Sequence, residues 1–349
     1  MMQGGYRVLD ADGHIVEHDS ELAHYASYRG TSLSGAGGVG AMPFFPSLDG
    51  WFRVAADKLT AGDPETWVQF LDDTGMEASV LHPTSGLAFG LVQDPEWSVG
   101  LARAYNDWLS ERYLKRDKRM KGVALLPLLR IDAAVTELRR AVEELGMVGA
   151  VLPAATMVGK SYGHPDFHPI YAEASRLGCA ITFHGASSRG MGFDHFDKFI
   201  QTHTLEHPFA IMTQFTSLMF EGVFELFPSV RFAFFEAGIG WVPYMLDRMN
   251  EEYERRGARW APILTKEPVE YVRHGNIYFS AEVEESTIAS AVEMIGEDRI
   301  TFASDFPHER DYGEFGEDSG VLAARDDLPE RVRRKILFDN TNRLYQLGL

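Results

Sequence analysis

Residues 7–14 read RVLDADGH, and residues 299–308 read RITFASDFPH. Each stretch contains a short apolar run and ends in carboxylate and histidine side chains. Further runs of the same kind lie between them, nearly continuous in apolar residues, as is typical of parallel strands buried on both faces. The runs are residues 7–12, 78–83, 122–128, 148–153, 179–184, 230–236, 276–281 and 299–305.

Amphipathic stretches with helical spacing separate these runs and follow the last one. Strands that alternate with helices in this way predict an α/β protein with a (β/α)₈ TIM barrel. The alternative is a doubly wound open sheet. No Gly-x-Gly-x-x-Gly turn follows the first run, which disfavours that alternative. We expect a single domain over residues 1–349.

The segment over residues 20–62 interrupts the alternation after the first strand. It is long and rich in Gly, Ser and Pro, as in TSLSGAGGVGAMPFFPSLDG over residues 31–50. A loop of this length in a compact domain usually has a function, and in a barrel it would lie over the catalytic face. We therefore predict a lid, with a solvated insertion as the alternative. Trp51 and Phe52 would give the lid an apolar surface over a bulky substrate.

The chain of 349 residues carries 33 Lys and Arg against 51 Asp and Glu, a net charge of −18. This acidic balance argues against a nucleic-acid partner, which needs clustered basic side chains, and against an anionic membrane surface. We expect no signal peptide and no membrane span, which needs about 18 apolar residues in a row. The one cysteine, Cys179, excludes an intramolecular disulfide and fits a cytoplasmic protein.

Carboxylates and imidazoles follow the predicted strands at the ends that meet at the mouth of a barrel. Buried charges of this kind are costly unless they are paired, and a divalent cation removes that cost. Zinc, manganese and iron in catalytic sites all accept mixed imidazole and carboxylate ligation. So many donors suit a centre with two metal ions. The candidates are Asp12, His14, His184, Glu236, Asp305 and His308.

Several motifs resemble the amidohydrolase superfamily, namely DGH at residues 12–14, FHG at residues 183–185 and SDFPH at residues 304–308. The similarity extends to GVFELFP at residues 222–228 and covers nearly the whole chain. The closest branch includes nonoxidative decarboxylases. The resemblance implies metal ligands at Asp12, His14, His184 and Asp305.

Glu236 departs from that branch, in which a histidine ends the sixth strand. No lysine ends the fourth strand, so a second metal would need Glu236 together with His207 or His308. In this respect the sequence resembles TIM-barrel nonheme diiron monooxygenases, exemplified by an enzyme of platensimycin biosynthesis. That resemblance implies two Fe ions, O₂ and a bulky apolar substrate such as a terpenoid coenzyme A thioester. Catalysis would then rest on Glu236, Asp305 and His308.

The oxygenase interpretation has two alternatives. The first is a hydrolase or nonoxidative decarboxylase that uses zinc or manganese with Asp305 as the general base, and the second is a noncatalytic metal-binding protein. His82 and Arg189 are candidate substrate contacts, although His82 also suits a structural role. His207 precedes Pro208, so it also suits the start of a helix. The family resemblance implies a homodimer.

Overall fold

The computed structural model describes residues 5–34, 44–46, 62–155, 159–185, 191–308, 314 and 316–349. Its main feature is a sheet of eight parallel strands paired in chain order, which confirms the predicted TIM barrel. A two-stranded antiparallel hairpin lies outside this sheet. The strands are β1 (Leu9–Ile15), the hairpin strands β2 (Ser27–Tyr28) and β3 (Thr31–Ser32), then β4 (Ala78–Pro83), β5 (Met120–Leu125), β6 (Gly149–Pro153), β7 (Ala180–His184), β8 (Arg231–Phe235), β9 (Ile277–Ala281) and β10 (Ile300–Phe302).

Helices follow most barrel strands and cover the outside of the sheet. Two short π-helical segments, Ser110–Leu114 and Lys335–Asp339, continue from neighbouring α-helices. Across the described ranges, no helix is both long and apolar enough to cross a membrane. The α-helices are α1 (Asp19–Leu22), α2 (Pro64–Thr74), α3 (Pro95–Leu109), α4 (Ile131–Glu143), α5 (His168–Leu177), α6 (Phe199–Phe220), α7 (Val223–Leu226), α8 (Trp241–Trp260), α9 (Pro268–His274), α10 (Ile288–Ile295), α11 (Asp318–Ala323), α12 (Glu330–Arg334) and α13 (Asn340–Tyr345).

The helix after β7 begins earlier than the sequence indicates. Pro208 favours a helix that starts beside it, because an interior proline lacks one backbone hydrogen bond. In the structure α6 begins at Phe199 and contains Pro208 in its interior. His207 is therefore an interior helical residue, and its buried side chain faces the end of β7.

The barrel closes between its first and last strands through backbone hydrogen bonds at the mouth. The His14 N–H donates to the Phe306 carbonyl at 2.7 Å, and the Asp305 N–H donates to the Asp12 carbonyl at 3.0 Å. The register of β1 against β4 shifts between Asp10 and Gly13. Such irregularities re-aim side chains near active sites. This one contains Asp12 and ends directly before His14.

Asp10 joins three parts of the closed barrel below the mouth. Its Oδ2 accepts hydrogen bonds from the hydroxyls of Ser79 at 2.5 Å and Ser304 at 2.8 Å. Its Oδ1 accepts from the Ser304 N–H at 2.9 Å and the Asp12 N–H at 3.1 Å. Burial raises the pKa of Asp10 to about 6, against the opposing effect of these donors. One carboxylate thus fixes β1, β4 and the end of β10 relative to one another.

The proposed lid is described only in part. Residues 35–43 and 47–61 lie outside the described residues, and with them Trp51 and Phe52. Phe44 and Phe45 are buried, and Phe44 packs its ring against Trp97 with centroids 5.2 Å apart. The Trp97 indole N–H also donates to the Phe44 carbonyl. This part of the insertion packs on the barrel, while its function as a lid stays a prediction.

Replacement of Asp10 by alanine should destabilise the fold by about 3 kcal/mol or more, because buried donors would lose their acceptor. Urea denaturation followed by circular dichroism measures this change. The matched control is Asp132→Ala, which removes an exposed carboxylate paired with Arg130 and should cost less than about 1 kcal/mol. Equal stability of the two variants would show that Asp10 does not hold the barrel closed.

Candidate metal centre

The strands bring predicted histidines side by side at the mouth of the barrel. His14 pairs in register with His82 of β4, and His184 ends β7. The His14, His82 and His184 side chains are all completely buried. Ligand atoms of Asp12, His14 and His184 lie within 4.8 Å of one another, as do those of His14, Asp305 and His308. The structure therefore gathers the residues predicted for a first metal site.

Backbone carbonyls set the orientation and tautomer of the two central rings. The Nδ1 of His14 lies 2.9 Å from the Pro83 carbonyl oxygen, and the Nδ1 of His184 lies 2.7 Å from the Gly185 carbonyl oxygen. A carbonyl oxygen can only accept, so each Nδ1 must donate a proton. The proton on Nδ1 leaves the Nε2 of a neutral ring with a lone pair, which is the arrangement of a metal-binding imidazole.

The two Nε2 atoms face each other at 3.1 Å. Two lone pairs at this distance repel unless a positive charge, either a proton or a metal ion, lies between them. Two nitrogens each about 2.1 Å from one metal ion lie roughly 3 Å apart when their bonds are nearly at right angles. The observed spacing fits a shared cation.

Asp12 supplies negative charge next to both rings. Its Oδ2 lies 3.3 Å from the His184 Nε2, and its Oδ1 lies 3.7 Å from the His14 Nε2. Burial opposes ionisation of Asp12, but the charges of His82 and His184 outweigh it and hold its pKa well below the usual range. The buried Oδ1 accepts no hydrogen bond of good geometry, although the His82 Nδ1 lies 2.8 Å from it. A charged, buried carboxylate beside two imidazoles is a suitable metal ligand.

Asp305 closes the other side of the group. Its Oδ1 lies 3.5 Å from the His14 Nε2 and 2.9 Å from the His308 Nδ1. The His308 Nε2 lies 2.8 Å from the Thr84 hydroxyl. Both nitrogens of His308 are thus engaged, so this ring orients Asp305. Burial lowers the pKa of His308, but Asp305 outweighs it and raises that pKa.

Glu236 faces the opposite nitrogen of His184. Its Oε2 lies 3.1 Å from the His184 Nδ1, and its Oε1 lies 3.3 Å from the His207 Nδ1. Burial opposes ionisation of Glu236, but His207 and His184 hold its pKa well below the usual range. Glu236 therefore lies on the far side of the His184 ring from Asp12. It belongs to a separate group with His203 and His207, whose ligand atoms also lie within 4.8 Å of one another.

His203 was missed by the sequence analysis. It lies four residues before His207 on α6, and this spacing places both rings on one face of a helix. The signal was present in the sequence as HTLEH at residues 203–207. This spacing was not interpreted as helical, because Pro208 suggested that the helix began only after these residues.

Of the predicted substrate contacts, only His82 lies among the described residues. His82 is buried beneath Asp12, with its Nδ1 2.8 Å from the Asp12 Oδ1 and its Nε2 3.3 Å from the Thr182 hydroxyl. In this position it supports Asp12, and its contact with a substrate stays a prediction. Arg189, like Trp51 and Phe52, lies outside the described residues.

The donor set fits a divalent transition-metal ion. Burial and the charge of His308 hold the pKa of His14 well below its usual range, so this ring is neutral and can bind a cation. Two imidazoles with carboxylates suit zinc, manganese or iron.

The chain belongs to the amidohydrolase family, whose sequence pattern it matches over residues 10–347. This confirms the family resemblance of the motifs around Asp12, His184 and Asp305.

Several characterised relatives of the chain are decarboxylases. The chain is 28% identical over 297 residues to gamma-resorcylate decarboxylase of Rhizobium radiobacter, covering 81% of this chain and 87% of the relative. It is 26% identical over 261 residues to 2-amino-3-carboxymuconate-6-semialdehyde decarboxylase of Dictyostelium discoideum, covering 74% and 70%. The solved dihydroxybenzoic acid decarboxylase of Polaromonas sp. JS666, with bound manganese and 2-nitroresorcinol, shares the fold with a TM-score of 0.75 at 20% identity, covering 99% of this chain and 98% of that one.

These similarities contradict the expected monooxygenase. The relatives are decarboxylases, which matches the alternative interpretation of the sequence. Nothing in the similarities supports two iron ions, O₂ as a substrate or a coenzyme A thioester. The monooxygenase expectation rested on a resemblance at Glu236, and the identity of this residue alone does not show which nitrogen of His184 its carboxylate faces.

The affinity for a metal ion should rise with pH in a defined way. Burial lowers the pKa of His184, but Asp12 and Glu236 outweigh it and raise that pKa to about 10. Below this pKa a proton occupies His184 in the metal-free protein and competes with the ion. The affinity for Mn²⁺ should therefore rise about tenfold per pH unit between roughly pH 6.5 and 8.5, because one proton leaves.

Isothermal titration with Mn²⁺ at several pH values measures this slope. The control variant His274→Ala removes an exposed imidazole on α9, 69% accessible, and should keep the slope. An affinity that does not change with pH would show that His184 does not exchange its proton for the metal.

Proposed function

We propose that this protein is a nonoxidative decarboxylase that acts on an aromatic or unsaturated carboxylic acid and depends on a divalent cation. The observation that carries the proposal is the buried group of Asp12, His14 and His184 with Asp305 beside it. The Asp305 side chain is 38% exposed, whereas the His14 side chain is completely buried. A substrate that arrives from solvent would meet Asp305 next to the candidate metal ligands.

Asp12, His14 and His184 would hold the cation. Manganese fits this donor set and is bound by the Polaromonas decarboxylase of the same fold, and zinc is chemically similar. When bound, the cation supplies Lewis acidity that neutralises anionic oxygens of the substrate. The activities of the relatives on resorcylate and on a carboxymuconate semialdehyde suggest an unsaturated acid with a neighbouring oxygen or nitrogen substituent.

Decarboxylation requires one proton from the protein. The bond between the carbon skeleton and the carboxylate breaks, CO₂ leaves, and the electron pair remains on the carbon. That carbon takes up one proton, so the net change is a carboxylate plus a proton giving CO₂ and a C–H bond. No oxidant or reductant takes part.

Asp305 is the group that we assign to this proton transfer. It is the accessible carboxylate of the group, and the His308 Nδ1 lies 2.9 Å from its Oδ1. The raised pKa of His308 keeps a proton shared between this ring and the carboxylate. The Thr84 hydroxyl fixes the other nitrogen of His308, so the ring can hold Asp305 in one orientation and return its proton after each turnover.

The decisive experiment measures CO₂ release from a panel of hydroxybenzoates by the Mn²⁺-loaded protein, in air and under argon. We expect release from at least one ortho-hydroxybenzoate at equal rates in both atmospheres. In D₂O the product should carry one deuterium at the carbon that lost CO₂. Absence of CO₂ release across the panel, or turnover that stops without oxygen, would contradict the proposal.

Replacement of Asp305 by asparagine should lower kcat by about 100-fold or more, since general acid–base groups contribute roughly that much. Manganese content should remain near that of the wild type, because Asp12, His14 and His184 are retained. The control is Asp166→Asn, which changes an exposed carboxylate 3.4 Å from the His164 ring and should leave kcat unchanged. Full loss of manganese from Asp305→Asn would instead show that Asp305 acts mainly as a metal ligand.

A further inference from the structure

A buried carboxylate that has no role in the proposed reaction lies behind the mouth of the barrel. Glu17 follows the end of β1, three residues after His14, and is 7% exposed. Its Oε2 accepts hydrogen bonds from the N–H groups of Thr84 at 3.2 Å and Ser85 at 2.9 Å. Its Oε1 accepts from the N–H group of Gly86 at 2.9 Å. One carboxylate thus holds three consecutive residues of the turn after β4.

The close approach of Glu17 to this turn depends on Gly86. A Cβ atom at this position would lie 2.9 Å from the Glu17 Oε1 and 2.6 Å from the Pro83 Cβ. Any other residue would therefore push the carboxylate away from its three donors. The sequence thus leaves space for the Glu17 side chain at the point where the turn needs an acceptor.

Glu17 also frees the hydroxyl of Thr84. Thr84 precedes a short 3₁₀ helix, Ser85–Leu91. A threonine at the start of a helix usually accepts a hydrogen bond from an N–H group of the first turn. The Thr84 side chain makes no such bond, and its hydroxyl lies 2.8 Å from the His308 Nε2 instead. Because Glu17 accepts from the N–H groups of the turn, the hydroxyl remains available for His308.

The sheet positions the neighbouring residue Pro83 without help from Glu17. Pro83 ends β4 and pairs in register with Ile15 of β1, so the carbonyl that faces the His14 ring belongs to the barrel itself. Thr84 lies one residue beyond the strand, and its N–H group donates to Glu17. A change at Glu17 should therefore move the Thr84 hydroxyl and leave the orientation of His14 intact.

We propose that Glu17 is a positioning residue for the acid–base pair of Asp305 and His308. It holds Thr84 so that the hydroxyl fixes the His308 Nε2, while the His308 Nδ1 lies 2.9 Å from the Asp305 Oδ1. In this orientation His308 can return to Asp305 the proton that the product takes up. The inference rests on the proposed decarboxylation, and Glu17 acts in it through Thr84 and not on the substrate.

Steady-state kinetics of the Mn²⁺-loaded protein with an ortho-hydroxybenzoate test the proposal. Burial raises the pKa of Glu17 to about 7, against the opposing effect of its backbone donors, so the assay is run at about pH 8.5, where this carboxylate is ionised. Glu17→Gln replaces one oxygen by an amide group that cannot accept. We expect kcat to fall about tenfold or more, since a misplacement of about 1 Å can cost about 100-fold. KM and the affinity for Mn²⁺ should stay unchanged.

A double-mutant cycle with Thr84 distinguishes positioning from general support of the fold. Thr84→Val removes the hydroxyl and should lower kcat by a similar factor. Because Glu17 acts through this hydroxyl, the double variant should have the same kcat as Thr84→Val alone. The matched control is Glu173→Gln on α5, which removes a carboxylate that is also 7% exposed and accepts from Arg139 and Arg176. It should keep the wild-type kcat.

A crystal structure of Glu17→Gln provides a measurement that does not depend on activity. The Thr84 Oγ1 should lie beyond about 3.5 Å from the His308 Nε2, outside hydrogen-bond distance. An unchanged 2.8 Å contact, additive losses in the cycle, or an equal loss of kcat in Glu173→Gln would overturn the proposal. If Glu17→Gln does not fold, Glu17→Asp, which shortens the side chain by one methylene, takes its place in each measurement. A wild type that releases no CO₂ would contradict the decarboxylase proposal, while the distance still tests the role of Glu17.

Discussion

The 3.1 Å contact between the Nε2 atoms of His14 and His184 is the constraint around which the site is organised. The Pro83 and Gly185 carbonyls each require a proton on the Nδ1 of the facing ring, so both lone pairs point at one place. Because like lone pairs repel, this arrangement is stable only with a positive charge between the rings. The carboxylate of Asp12 supports such a charge, and burial excludes water that could otherwise separate the rings.

The barrel supplies the rigidity that this contact needs. Strands β1 and β7 lie on opposite parts of the closed sheet, and closure at Phe306 and Asp305 keeps their ends at a fixed distance. Asp10 anchors the same closure from below through the donors of Ser79 and Ser304. Asp305 and Glu236 both have left-handed φ angles, 54° and 58°. The stability of the barrel thus offsets the backbone strain at Asp305 and Glu236, the two carboxylates that lie beside the candidate metal centre.

Sequence reasoning predicted the barrel because buried parallel strands leave a strong apolar pattern, and each strand agrees with the structure within three residues at either end. It also predicted Asp12, His14, His184 and Asp305, since strand ends converge in this fold. It could not predict the tautomers of His14 and His184, which depend on where the Pro83 and Gly185 carbonyls point. It missed His203 because Pro208 outweighed the helical spacing. It could not predict the direction of the Glu236 side chain, because a left-handed φ redirects a side chain in a way that residue identity does not show.

We expect a cation in the space between His14 and His184. The most direct measurement is an anomalous difference map from crystals grown with Mn²⁺, recorded on both sides of the manganese absorption edge. We predict a peak bonded to the Nε2 atoms of both histidines and to an oxygen of Asp12, at about 2.1–2.3 Å from each. A map without a peak there, with the two rings still 3.1 Å apart, would mean that a shared proton stabilises the contact and would contradict the metal centre.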